Sequence, residues 1–296
     1  MKDLVIFRSG AKSLHPYWKS QNSKATFDVF VCPYQEIPDS AKGPGTLVGK
    51  VIKGPKWTGL RELLKSWQGW QDYRYVMLAD DDLLMTEKHV SAFFQKCATQ
   101  HANLAQPALT HESPSSHLIV FRNTRFLLRR TSFVEIMAPC FRASVLKDLL
   151  WTLDLTETGW GWGLDHLWPK LIEYERTYIF DTTPMFHTLP VGRGRDAELH
   201  KRVMAEYGDI IRKYDCKPQY KTLSGVTVEG HELAFGNPAL LHNMIKGYEQ
   251  IFDIHPQHLI DLLRDQLATL HPEPSTVEPV AGPLDTNRPH RPVAGR

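Results

Sequence analysis

Three consecutive carboxylates, Asp80, Asp81 and Asp82, end the apolar run Tyr75-Val76-Met77-Leu78-Ala79. Acids packed that closely repel one another unless something positive stands among them. A divalent cation carrying the phosphates of a ligand would be such a group. The C-terminal edge of a buried strand is also where open α/β sheets bind ligands. The plainer alternative is a cap on the helix that follows, whose first turn holds Thr86 and Glu87. One acid is enough for a cap, so three in a row favour the metal site.

Other residues could work beside the triplet. In Gly159-Trp160-Gly161-Trp162-Gly163, glycine alternates with tryptophan, a poor interior for a strand or helix because glycine gives up so much backbone entropy there. The pattern suits a loop pressed against a ligand, with Gly161 allowing close approach and Trp160 and Trp162 offering indole faces to a sugar ring. Asp165 then opens a helix, where it could accept a proton from an attacking hydroxyl. A helix-terminal acid beside core tryptophans fits these residues equally well. His187 follows a strand ending in Asp181 and could complete a metal shell, although a single histidine among 14 is more often structural. Lys53 and Lys56, or Arg193 and Arg195, could neutralise a diphosphate, with solvated surface charge as the ordinary fate of any one of them. Arg8, in Phe7-Arg8-Ser9-Gly10, sits at a strand-to-turn junction where a base or ribose is often held. The patterns GxGxxG, GxxxxGK[ST], GxSxG and HExxH are absent, which lowers dinucleotide, P-loop, serine-hydrolase and zinc-protease readings.

The elements that must position these residues alternate. Strands are expected at 4–10, 27–34, 46–54 and 75–79, and helices at 57–70 and 87–100, the first with Trp57, Leu60, Leu63, Leu64 and Trp67 on one face. Further strands are expected at 104–109, broken by Pro107, within 117–141, and at 177–190, with an amphipathic helix at 143–155. This order predicts an α/β fold with a mixed, mostly parallel sheet flanked by helices. Residues 196–271 read as a helical C-terminal extension, and 272–296, rich in proline, as a disordered tail. The expected division is therefore a catalytic domain over 1–195, the helices packed on it, and the tail.

Bulk composition narrows the class. The chain of 296 residues is 42% hydrophobic and 23% charged, as ordinary globular proteins are. A net charge of +2 is too mild to argue for a nucleic-acid partner. No apolar run reaches membrane-span length and no signal-peptide pattern opens the chain. Cys32, Cys97, Cys140 and Cys216 lie far apart without metal spacing, which fits free thiols in a reducing compartment. The expected location is cytoplasmic, without a transmembrane segment.

The stretches YRYVMLADDDLLM, QPAL, VEIMAPCFRASVLKDLLW, GWGWGLDHLW and YIFDTTPMFHTLPVGRG, in that order, resemble glycosyltransferases of the GT-A fold. More narrowly, they resemble the domain-of-unknown-function 707 family. They cover roughly residues 70 to 195. The resemblance implies a Rossmann-like GT-A fold whose Asp-x-Asp motif lands on Asp80 to Asp82, with Asp81 within it. It implies Mn²⁺ or Mg²⁺ held by Asp80, Asp82 and His187, and a nucleotide-sugar donor bound through that metal. It places the catalytic base of inverting members on Asp165, with His166 next to it as the other candidate. The acceptor implied is a glycan or another hydroxyl compound. Two other readings compete: a catalytically silent nucleotide- or glycan-binding protein on the same scaffold, and a metal-dependent hydrolase of nucleotide diphosphates, which would not need the tryptophan loop.

Overall fold

Two apolar runs, residues 3–9 and 75–80, lie side by side in the computed structural model, which describes residues 1–267 except 21–22, 40–41, 44, 116 and 191–195. They form β1 (Asp3–Ser9) and β4 (Tyr75–Asp80), paired in parallel from Leu4↔Val76 to Arg8↔Asp80. Both are covered on both faces, which explains runs that are apolar throughout rather than alternating. Val5, Phe7, Met77 and Ala79 face one core, and Leu4, Ile6, Val76 and Leu78 face the other, as the two-residue period of a strand requires.

Around this pair the chain adds β2 (Phe27–Pro33), β3 (Thr46–Val48), α1 (Lys56–Ser66), β5 (Leu83–Leu84), α2 (Glu87–Thr99) and β6 (Leu104–Leu109). Next come β7 (Phe126–Thr131), β8 (Cys140–Arg142), α3 (Ala143–Leu149), α4 (Leu164–Leu171) and β9 (Thr177–His187). The C-terminal part contributes α5 (Ala197–Lys213), β10 (Thr222–Thr227), β11 (Glu232–Ala234), α6 (Pro238–Gly247), α7 (Glu249–Ile254) and α8 (Gln257–Leu267). Among the described residues the sheet runs β11-β10-β7-β9-β6-β8-β4-β1-β2-β3, with β5 paired to β9. The block β3-β2-β1-β4 is parallel, as is β6 with β9, while β8 and the β7-β10-β11 edge run antiparallel. Helix α2 sends Val90, Phe93, Phe94 and Cys97 into one core, and α1 sends Leu60, Leu63 and Leu64 into the other. The fold class is the one expected.

Several details differ from the sequence reading, each with a cause. The strand expected over 46–54 stops at Val48 because the Arg8 guanidinium draws in the carbonyls of Ile52 and Gly54. Pro107 does not break β6, since β8 pairs only with Leu104 and Ala105 and leaves that side of Pro107 without a ladder. Residues 118–120 form a 3-10 turn instead of a strand. The carbonyls of Ile119 and Phe121 both accept hydrogen bonds from the buried Arg129. Residues 222–234, read as part of a helical extension, are a hairpin that continues the sheet from β7. The tail beyond 267, and with it the expected disorder of 272–296, lies outside the described residues.

Arg129 also fixes the C-terminal part to the sheet. It forms a two-pronged ion pair with Asp181, both bonds 2.9 Å, and donates to Tyr248 Oη at 2.6 Å. All three side chains are fully buried or within 1% of it. Asp181 is thus a structural acid of β9.

Candidate active site

The strand-end acids open into a cleft of about 480 Å³ at the C-terminal edge of β1 and β4. None of the three caps α2, whose N-cap is Thr86 accepting from His89 N. Each has its own partner instead. Asp80 meets Lys56, the first residue of α1, at 2.8 Å. The same ammonium donates to the carbonyls of Ile136 at 2.6 Å and Met137 at 2.8 Å, so its three hydrogens are all engaged. Burial disfavours charge on both partners of this pair, and their mutual attraction offsets part of that. Asp81 turns the other way, accepting from Gly10 N at 2.7 Å and Tyr34 Oη at 3.3 Å, and so fastens the turn after β1.

Asp82 faces His187 across 3.2 Å, because β5 pairs with the end of β9 and sets Leu83 opposite His187. The other ring nitrogen of His187, Nδ1, donates to the Pro114 carbonyl at 2.7 Å, which leaves Nε2 for Asp82 or for a metal. Burial works against charge on this ring, but the Asp82 contact, the Pro114 carbonyl and the nearby acids outweigh it and raise its pKa. Asp82 Oδ1 is buried without a partner among the described residues. Among those residues no three His, Cys, Asp or Glu side chains stand together as a metal shell. Asp82 and His187 form a fitting donor pair with an orphaned oxygen, while Asp80 is taken by Lys56.

The opposite wall is the glycine-tryptophan loop. Thr156 Oγ1 accepts from the backbone N–H groups of Gly159 and Gly161, both at 3.1 Å. Glu206 of α5 accepts from Thr158 N at 2.8 Å and from its hydroxyl at 2.7 Å. Gly161 has φ +74°, and a β-carbon there would stand 2.3 Å from Trp57 Cδ1. Only glycine fits, because Trp57 occupies the space a side chain would take. Trp160, Trp162 and Gly159 line the cleft, and Gly161 does not.

Two further buried acids, Asp165 and Glu135, belong to this region. Asp165 accepts on one oxygen from Gly163 N at 3.2 Å and His166 N at 3.0 Å, and burial raises its pKa to about 7. His166 packs against Phe133 and Tyr220, where burial lowers it to about 3. Neither residue lines the cleft. Glu135 does, at only 7% exposure. Burial first, then the Asp165 charge, raises its pKa to about 8. Sequence reasoning missed Glu135; its only signal is a lone acid within the apolar stretch 133–141.

The basic residues separate. Arg8 lines the cleft, but its guanidinium is tied to the carbonyls of Cys32, Ile52 and Gly54, so it shapes the wall. Lys53 is exposed and faces a groove on the outer side of α1 with Arg61 and Lys65. The Gly54-Pro55 turn, with Gly54 at φ +104°, separates it from Lys56. Lys53 therefore does not line the cleft that holds the strand-end acids. Arg193 and Arg195 lie outside the described residues.

No protein-family model matches the chain, and no curated protein matches it. Among solved structures, S. aureus TarS 1–349 in complex with UDP-GlcNAc is similar with a TM-score of 0.50 at 11% identity, covering 91% of this chain and 78% of that one. The UDP complex of the same protein gives 0.48 at 13% identity over 91% and 77%. GalNAc-T7 with UDP, GalNAc and Mn2+ gives 0.46 at 9% identity over 73% and 55%. The likeness to the UDP-GlcNAc complex is one of fold: a GT-A-like α/β arrangement with a mostly parallel sheet flanked by helices. Among the described residues no helix is long and apolar enough to cross a membrane.

Proposed function

We propose that this chain transfers a sugar from a nucleoside-diphosphate donor to a hydroxyl acceptor, and that it belongs with the domain-of-unknown-function 707 proteins its motifs resemble. The observation that carries the reading is convergence. The strand-end acids, Lys56 and His187 face Trp160 and Trp162 across one cleft, although more than 100 residues separate Asp80 from His187. The UDP-GlcNAc named for the similar structure makes a UDP-sugar the first donor to try.

The roles follow from the chemistry of each group. The Lys56 charge, fixed by three acceptors, stabilises negative charge growing on the departing diphosphate. Trp160 and Trp162 give the sugar or acceptor ring an aromatic wall. A buried carboxylate beside that wall, Asp165 or the Glu135 in front of it, takes the acceptor proton in an inverting transfer. Asp82 and His187 would hold Mn²⁺ or Mg²⁺, with Asp80 close by, and the ion when bound supplies Lewis acidity to the diphosphate. A silent nucleotide-binding protein is the second reading, favoured by the fact that each acid of the triplet already has a protein partner.

Calorimetric titration with UDP, GDP and CMP, each with Mn²⁺ and with EDTA, tests this. Metal-dependent binding of one nucleotide supports the site. Binding without any turnover of the matching nucleotide sugar favours the silent protein, and binding of none removes the transferase reading.

A further inference from the structure

Glu135 is more than nine-tenths buried, yet its Oε2 has no partner among the described residues. A buried oxygen without a partner is costly to keep, more so when the group is charged. Its aim is fixed from both sides. Glu135 N donates to Gln106 Oε1 at 2.5 Å, and the next two carbonyls clamp Lys56. The Met137 carbonyl also accepts from Asp80 N at 2.9 Å, tying this segment to the end of β4. The side chain thus stands on the cleft wall between the strand-end acids and the tryptophan loop. The charges that act on it come from Asp165 on α4, His187 on β9, Asp80 on β4 and Lys56 on α1.

We propose that Glu135 is the catalytic carboxylate that meets the acceptor hydroxyl, and that Asp165 is a positioning residue behind it. This rests on the transfer reading above and divides the work between two acids that the sequence alone does not separate. In the step, the acceptor oxygen forms a bond to the anomeric carbon. The bond from that carbon to the phosphate oxygen breaks, and its electron pair leaves on the nucleoside diphosphate. The hydroxyl proton passes to Glu135 and from there to water. Burial and the Asp165 charge both raise the proton affinity of Glu135, the property a base requires.

The test measures UDP release from UDP-GlcNAc, UDP-glucose and UDP-galactose, in water and with glycerol as hydroxyl probe, alongside UDP affinity by calorimetry. Glu135→Gln should lower release about 100-fold or more while UDP affinity stays within about threefold, roughly 0.6 kcal/mol. Sodium formate should restore part of the activity of Glu135→Ala. Asp165→Asn should retain slower turnover whose rise with pH moves to lower pH, because one negative charge near Glu135 is gone. Full turnover by Glu135→Gln, or loss of UDP binding with turnover, overturns the assignment. A wild-type protein that releases UDP from none of the three donors removes the transfer reading, and this inference with it.

Discussion

Replacing Glu135 by glutamine should make the protein more stable as well as less active, and the gain should depend on pH. The ordinary carboxyl pKa of 4.5 is raised to about 8 by burial and by Asp165. Between those values the folded chain binds a proton that the unfolded chain has released. Stability contributed by this site is therefore greatest below pH 4.5 and declines as pH rises towards 8. The span from 4.5 to about 8, at about 1.4 kcal/mol per pH unit, is on the order of 4–5 kcal/mol. Glutamine has no such proton to lose. At pH 8 the variant should be the more stable by several kcal/mol, on the order of 10 °C in Tm for a chain of this size. Near pH 4.5 the two proteins should melt together. Scanning calorimetry at these two pH values reads the difference. A stability gap of the same size at both would refute the reasoning, since it would mean that Glu135 is already paired or ionised.

Three further predictions follow the same logic. Asp82→Ala should abolish any dependence of UDP affinity on Mn²⁺, since it removes the partner of His187 and the orphaned oxygen; calorimetry with and without EDTA reads this, and unchanged metal dependence would move the ion elsewhere. Asp181→Ala leaves the Arg129 guanidinium buried without its counter-charge, and should destabilise by about 3–5 kcal/mol in urea unfolding, with nucleotide affinity unaffected. Gly161→Ala forces a β-carbon into Trp57 at a φ that L-residues avoid, and should cost about 1–3 kcal/mol in backbone strain alone; displacement of the tryptophan wall should appear as quenched or shifted indole fluorescence.

Three acids in a row make the end of β4 conspicuous in the sequence, and the structure sets Asp82 3.2 Å from His187. The tryptophan loop is legible for a similar reason, as glycine alternating with tryptophan suits no regular element. What stays hidden depends on direction rather than type. Lys53 and Lys56 look equivalent along the chain, yet the intervening Gly54-Pro55 turn sends one outward and one into the cleft. Gly159 and Gly161 look equivalent too, but one lines the cleft and the other accommodates Trp57. Glu135 is a single acid among apolar neighbours, which a one-dimensional pattern does not distinguish from a solvated strand residue. The β10–β11 hairpin is masked by the strong helical period on either side. Its own signals, the β-branched Thr222, Val226 and Thr227 and the turn at Gly230 with φ +87°, occupy only a few residues.

The two hydrogen bonds from Thr158 to Glu206 have a mechanical consequence. Glu206 belongs to α5, which follows the strands that carry the acids, so the tryptophan wall is hooked from outside the part of the chain that holds them. A chain shortened to residues 1–195 would keep every acid, Lys56 and both indoles, yet lose that hook. Its loop would still have Thr156 and the Trp57 N–H to hold its backbone, but not the anchor that Glu206 gives to Thr158. Helix α5 thus helps to set the span between the two walls and, on the proposed reading, the size of sugar that fits between them.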